Sequence, residues 1–314
     1  MRIYRYERGA ERDPRIALAT QGGPAVDLLD AWSRSNGQPD SQLTSRLRST
    51  VELIEDDELW EEARAVVGTE RGLPDALAGN PWLLCPLDRV PSLRDFLAFE
   101  DHVRRGAERR GSEVPAYWYE APVYYKGNHR SLIGPDEECP WPSYTERLDF
   151  ELELAMIVGR KGRDIDAASA PDYVFGFSIL DDFSARDVQA REGTAWLGPA
   201  KGKDFATALG PCIVTADEIG SEPDLEMTCR VNGGEWGRGR SSDAKWSWAD
   251  MIAHVSKDED IWPGDVYGSG TPGGCCGLDL GRTLAPGDVV ELEIERIGRL
   301  RNTIGSPRVS RPRG

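Results

Sequence analysis

The chain has 314 residues, with 54 Asp and Glu against 38 Lys and Arg, a net charge of −16. That length accommodates one large domain plus a small one, and the acidic balance excludes nucleic acid as a partner, since binding phosphates needs basic patches. No apolar run approaches the roughly 20 residues of a membrane span, and MRIYRYERGAERD has neither the apolar core nor the cleavage site of a signal peptide, so no membrane partner and a cytoplasmic location are expected.

Residues 1–31 read as short strands and turns, and residues 43–67 as a helix, with Leu43, Leu47, Val51, Ile54 and Leu59 at helical spacing and the acidic run Glu55–Glu58 as its solvated face. GLPDALAGNP is loop, which places a small N-terminal α+β module at residues 1–80. Pro91-Ser92 then starts a helix through LRDFLAFEDHVRRGAERRG. On it Asp95 and His102 lie seven residues apart, two turns, and so face one site. A long stretch rich in Tyr, Pro and Gly follows, from Tyr117 to Ser143, of the kind that usually holds function. A strand over 173–180 runs into Asp181-Asp182. DLEMTCRVNGGEWGRG reads as a hairpin around Asn232-Gly233, and DAKWSWADMIAHVSK as an amphipathic helix. Two Pro-Gly-Asp turns each feed a late strand. Residues 81–305 form the main domain, and the basic, Pro-rich tail 306–314 is expected to be disordered. The six cysteines form no CxxC and only three His are present, so no zinc site is expected and Cys275-Cys276 read as small packing residues.

LDFELELAMIV (148–158) stands out. With period two, Leu148, Phe150, Leu152, Leu154 and Met156 share one face and Asp149, Glu151 and Glu153 the other. Glu151 and Glu153 would stand about 7 Å apart along the strand, and two such carboxylates repel unless water screens them or a cation binds. Hard cations such as Mg2+ or Ca2+ take oxygen ligands of this kind. The pattern alone decides nothing, because VVELEIERI (289–297) alternates too, with Glu291, Glu293 and Glu295 on one face. A half-buried strand with a solvated acidic face explains either one, and the surroundings must choose. An apolar strand ending in Asp181-Asp182 can bring a further carboxylate to the first. Arginines follow the second, which is read as solvated.

The order RDFLAFEDH, APVYYKGN, DFELELA, LDDFSARDVQ, LGPAKGKDF, GSGTPGG resembles the fumarylacetoacetate hydrolase family over about residues 90–302. The resemblance implies an α+β, mostly β fold of highly twisted mixed sheets in a sandwich or roll with a few helices, and a homodimer. Carried over, the metal ligands are Glu151, Glu153 and Asp182, with Asp95 in the place of a fourth. The ion is Mg2+, with Ca2+ or Mn2+ as alternatives. The spare Asp of the 181–182 pair caps or pairs with Arg186. His102 matches the general base, oriented by Asp279 where the family often has Glu, and Lys203 matches a cation that stabilises developing negative charge, with Lys201 as competitor. Arg186, Gln189, Tyr125 (or Tyr124, with Lys126) and Thr271 match substrate-binding positions. His254 is read as core and His129 as loop. A Tyr that follows SARDVQ in fumarylacetoacetate-cleaving members has no counterpart near Gly193.

The resemblance therefore implies a Mg2+-dependent hydrolase that cleaves a C–C bond of a small anionic β-diketo acid, of the fumarylacetoacetate or acylpyruvate type, in catabolism of aromatic compounds. His102 would deprotonate water for attack on the distal carbonyl, with Lys203 holding the leaving enolate. The same platform serves 2-oxo acid decarboxylation, isomerisation and hydration, and a non-catalytic metal-binding relative is the alternative of another class.

Overall fold

The computed structural model describes residues 1–307. The fold is mixed α+β and mostly sheet. An 11-stranded sheet runs, edge to edge, through Ala25–Asp27, Asp13–Ala19, Arg2–Arg8, Thr207–Thr215, Val174–Asp181, Leu152–Val158, Val266–Gly268, Leu93–Phe96 and Tyr124–Gly127, with two further short strands off this path. A five-stranded sheet carries the Glu226–Val231/Gly234–Arg240 hairpin, Val289–Ile294, Gly298–Pro307 and Glu138–Trp141. The hairpin turns at Asn232-Gly233, both at positive φ, as a tight two-residue turn demands.

Leu152–Val158 lies near the middle of the large sheet and is buried on both faces. Leu152, Leu154, Met156 and Val158 enter the core shared with the five-stranded sheet. Ala155 and Ile157 point the other way, into a second core built largely from the N-terminal segment, including Ile3, Leu18, Trp32 and Val51. The N-terminal strands extend the large sheet directly, with Arg2 and Ile3 opposite Val214 and Ile213. Full burial of each such aliphatic side chain contributes about 1.5–3 kcal/mol, so the strand's position is strongly fixed. On its second face, near its N-terminal end, the side chain is not apolar but Glu153.

Several elements depart from the sequence reading. The helix expected over 43–67 is three, Ser41–Arg46, Thr50–Glu55 and Asp57–Thr69. Ser49 and Asp56 interrupt it because their side chains accept from Glu52 N and Leu59 N, capping new helices instead of continuing an old one. The helix expected from Ser92 starts only at Glu100 and ends at Arg110. Leu93–Phe96 is a strand instead, parallel to Val266–Gly268 and antiparallel to Tyr124–Gly127, so Asp95 is a strand residue. All four of its residues are buried, and a segment buried on every side leaves no period to read. The acidic strand is broken. Leu148–Asp149 pairs with Ser184–Ala185, Glu151 bridges to Cys276, and the long strand begins at Leu152. The Trp248–Ser256 helix starts at a Ser247–Asp250 capping box, leaving Trp246 before it. Of the expected tail, Ser306 and Pro307 end the last strand, and residues 308–314 lie outside the described residues.

Candidate active site

Two strands of the large sheet and the residue that follows a third deliver the carboxylates. Glu153 comes from Leu152–Val158, Asp95 from Leu93–Phe96, and Asp182 directly follows Val174–Asp181. One oxygen from each of Asp95, Glu153 and Asp182 lies within 4.8 Å of the other two, and all three residues are buried. Gly268, on the strand between Asp95 and Glu153, makes the space. A Cβ there would fall 2.5 Å from Glu153 Oε2 and 2.9 Å from Asp95 Oδ1. Burial and the charge of Asp182 push the Asp95 carboxyl well above its ordinary range, and burial with Asp95 and Asp182 does the same to Glu153. Two of the oxygens, Asp95 Oδ1 and Asp182 Oδ1, are buried without a partner. Glu153 Oε2 accepts from Gly270 N at 3.0 Å, and Asp182 Oδ2 from the Tyr125 hydroxyl at 2.8 Å. Buried, crowded, hard oxygen donors with unused acceptor capacity fit a divalent cation such as Mg2+ or Mn2+.

Glu151 stands beside this trio with both oxygens engaged. Oε2 accepts from Lys203 Nζ at 2.6 Å and Oε1 from Arg186 Nη2 at 2.8 Å. Lys203 Nζ also donates to Asp182 Oδ2, so one ammonium joins the two carboxylates. Burial alone would raise the Glu151 carboxyl, but the charges of Arg186 and Lys203 outweigh it and hold the group far below the usual range. Lys203 is buried and Lys201 exposed, which decides between the two lysines. The Asp181 and Asp182 pair divides its work differently from the expectation. Asp181 Oδ1 accepts from Glu151 N at 3.1 Å, while Arg186 pairs with Asp149 and Glu151.

His102 sits in the first turn of Glu100–Arg110 and Asp279 in the short helix Gly277–Leu280. His102 Nδ1 lies 2.9 Å from Asp279 Oδ2, and its Nε2 lies 3.9 Å from Glu151 Oε1. Asp279 accepts two further hydrogen bonds, from Arg109 Nη1 to Oδ1 (3.0 Å) and from Gly274 N to Oδ2 (3.1 Å), and Arg109 Nη1 also donates to the neighbouring Leu278 carbonyl (3.5 Å). Burial would raise the Asp279 carboxyl, but His102, Gly274 N–H and Arg109 hold it below the ordinary range. An ionised Asp279 only accepts, which assigns the proton to Nδ1 and leaves the Nε2 lone pair facing the carboxylate cluster. The shorter Asp side chain therefore does reach its histidine.

The family model described as Fumarylacetoacetate (FAA) hydrolase C-terminal matches residues 92–305. The chain belongs to the fumarylacetoacetate hydrolase family. It is 37% identical over 312 residues to the Homo sapiens protein named oxaloacetate tautomerase FAHD2A, mitochondrial, covering 97% of this chain and 91% of that one. Among solved structures, fumarylacetoacetate hydrolase from Exiguobacterium antarcticum superposes with a TM-score of 0.72 at 26% identity, covering 98% and 99% of the two chains. Maleylpyruvate hydrolase from Sphingobium sp. SYK-6, solved with manganese(II) and pyruvate, shares the fold with a TM-score of 0.71 at 22% identity, covering 97% and 99%.

The positions carried over from the fumarylacetoacetate hydrolase family converge on one place, with distinctions the sequence did not supply. Tyr125 reaches Asp182, whereas Tyr124 packs on Phe96 and His254. Gln189 Oε1 accepts from Arg186 Nη1 at 3.1 Å, and the Thr271 hydroxyl donates to the Cys275 carbonyl at 3.2 Å. His129 and Lys126 are exposed, and Lys126 lies 3.7 Å from Glu259. His254 is half-buried on the Tyr124 ring.

Asp149 was missed. It is buried, and its oxygens accept from Arg186 Nε, Gly277 N and Leu278 N at 2.8 Å each and from Phe150 N at 2.9 Å. It thereby ties Arg186 to the start of the helix that carries Asp279. A Cβ on Gly277 would meet Asp149 Oδ1 at 2.4 Å, so glycine is required there. The strand alternation did place Asp149 with Glu151 and Glu153, but its partners Arg186, Gly277 and Leu278 lie 37, 128 and 129 residues away and leave no local signal.

Proposed function

We propose that the protein interconverts the enol and keto forms of oxaloacetate, using a divalent metal and the His102–Asp279 pair. The observation that carries this reading is the pair itself, an imidazole with its Nδ1 proton fixed on an ionised carboxylate and Nε2 turned toward buried acidic ligands. Full-length similarity to a protein named oxaloacetate tautomerase supports the choice of substrate. Asp95, Glu153 and Asp182 would hold the metal, with Glu151 the fourth carboxylate beside Lys203. Bound there, the metal would supply Lewis-acid polarisation of a 2-oxo acid. The pyruvate and manganese(II) of the Sphingobium structure are of the same chemical kinds.

His102 Nε2 takes the proton from the enol hydroxyl and the imidazolium returns one to the adjacent carbon. Asp279 keeps the ring oriented and stabilises its charged form. Lys203, fixed and buried, favours the enolate through which the proton passes. Arg186 and Gln189 stand beside Glu151, Tyr125 beside Asp182 and Thr271 on the Cys275 carbonyl, where they would contact the substrate. Sequence reading favoured hydrolysis of a C–C bond, and the same histidine can activate water, so that is the second reading. The homodimer implied by the family resemblance belongs to this proposal, and sedimentation as a monomer would remove it.

The deciding experiment gives the Mg2+-loaded protein enol-oxaloacetate and an acylpyruvate separately. The proposal expects the enol absorbance of oxaloacetate to vanish faster than in buffer with no pyruvate formed, and the acylpyruvate to remain intact. Pyruvate release from the acylpyruvate, lost in His102→Ala, would move the assignment to the hydrolase.

A further inference from the structure

The dyad has a third neighbour that the proposed reaction does not use. Cys276 Sγ lies 3.9 Å from His102 Nδ1, and one atom each of His102, Cys276 and Asp279 fall within 4.8 Å of one another. The cysteine is buried and its backbone is fixed, since Cys276 bridges to Glu151 and the next residue's N–H is held by Asp149. Among the described residues, the imidazole is the one polar side chain within hydrogen-bond distance of this thiol. The His102 side chain is 12% exposed, so solvent reaches the group from the ring side.

The donor sets of the two clusters differ in kind. Asp95, Glu153 and Asp182 offer oxygen alone and suit hard cations, whereas His102, Cys276 and Asp279 offer nitrogen, sulfur and oxygen, the set favoured by zinc and its heavier relative cadmium. Zinc at about 2.0–2.3 Å from each ligand in a tetrahedron separates ligand atoms by roughly 3.3–3.7 Å. The distances here, 2.9 Å for Nδ1 to Oδ2 and 3.9 Å for Nδ1 to Sγ, bracket that spacing.

We propose that His102, Cys276 and Asp279 form a second, inhibitory metal site that takes a thiophilic divalent cation, distinct from the carboxylate site. The thiol releases its proton to solvent as the metal–sulfur bond forms. The imidazole stays neutral but its proton shifts from Nδ1 to Nε2, because Nδ1 now gives its lone pair to the metal. Asp279 exchanges the Nδ1 hydrogen bond for a metal–oxygen bond and keeps Arg109 and Gly274 N on its other lone pairs. One proton is released per ion, and Nε2, the nitrogen that must accept a proton in turnover, no longer has a free lone pair. Zinc thus inhibits by fixing the wrong tautomer. Occupancy of the site rests on geometry alone, while the inhibition rests on the proposed role of His102.

The test titrates CdCl2 into Mg2+-saturated protein and reads the thiolate-to-cadmium charge-transfer absorbance. One equivalent is expected to saturate the band in the wild type and in Cys275→Ala. In Cys276→Ala and Cys276→Ser the band disappears. A band that persists in both Cys276 variants, or that excess Mg2+ removes from the wild type, overturns the site. In parallel, ZnCl2 should inhibit enol-oxaloacetate turnover by the Mg2+-saturated wild type without competition from Mg2+, and should spare Cys276→Ser. Equal inhibition of that variant would overturn the regulatory role. If the tautomerase reading fails, the cadmium band still decides whether the site exists.

Discussion

Two strands of this protein carry the same alternation of glutamate with apolar residues, and the fold treats them oppositely. In Val289–Ile294, Val290, Leu292 and Ile294 are buried, while Glu291 and Glu293 pair with Arg299 and Arg230 at the surface, Glu293 keeping 41% of its side-chain area in water. In Leu152–Val158 every residue is buried, and Glu153 retains 1% exposure beside Asp95 and Asp182. The difference arises from position in the sheets. The first strand has one face on the core and one in solvent. The second has a core on each face, so Glu153 meets Asp95 and Asp182 rather than water, and Glu151 just before the strand meets Lys203 and Arg186. Alternation shows that a strand has an acidic face, and only the neighbours decide whether that face is solvated or forms a site.

The contrast breaks first on function. Glu153→Gln and Asp182→Asn should each lower turnover of enol-oxaloacetate by about a hundred- to a thousandfold, because each would remove a ligand of the metal that polarises the substrate. Glu293→Gln should leave turnover unchanged and alter stability by no more than about 0.5 kcal/mol. Steady-state kinetics and thermal melts of the three proteins check this. A comparable loss in Glu293→Gln would abolish the distinction.

His102→Ala and Asp279→Asn should lower kcat by about a hundred- to ten-thousandfold while leaving Mg2+ affinity at the wild-type value. Calorimetric titration separates the two effects, and a parallel loss of metal affinity would show that the dyad is part of the metal site itself.

Asp149→Asn should destabilise the protein by about 3 kcal/mol or more, because an amide NH2 would face donors from Arg186, Gly277 and Leu278 and leave the buried guanidinium short of charge. Denaturant unfolding measures the loss, and a change below about 1 kcal/mol would reduce Asp149 to an ordinary buried hydrogen-bond partner.

The smallest expected effect concerns a buried carboxylate outside both acidic strands. Asp265 is pushed up to about 6 by burial, with Arg94 3.5 Å away and the Trp262 N–H opposing the shift. An acid whose folded value is raised favours folding most when protonated. That contribution is complete below about pH 4, its unfolded value, and is lost as pH rises to about 6. Measured against Asp265→Asn, wild-type stability should therefore fall by about 2–3 kcal/mol between those pH values. A flat difference would show that Arg94 fully compensates the burial.

Much of this architecture was legible in the residues, and the failures have physical causes. Glu151, Glu153 and Asp182 stood out because alternation and an apolar strand ending in two aspartates are local patterns. Asp95 was placed on a helix because Leu93–Phe96 is buried throughout and carries no period, while the real helix begins a few residues later with its own acidic first turn. The single helix over 43–67 failed because Ser49 and Asp56 act as caps, a choice that hydrophobic spacing does not reveal. Pairing of Arg2 with Val214, the Asp149 contacts to residues 277 and 278, and the approach of Cys276 to His102 join parts of the chain more than a hundred residues apart, and no window along the sequence contains them.

The most direct test of the central claim is a Mn2+ titration of metal-stripped protein followed by electron paramagnetic resonance, comparing wild type with Glu153→Gln and Glu293→Gln. One tight Mn2+ per chain in the wild type and in Glu293→Gln, lost in Glu153→Gln, is the predicted result. Tight binding that survives in Glu153→Gln would contradict the claim that the buried acidic strand, and not the solvated one, builds the metal site.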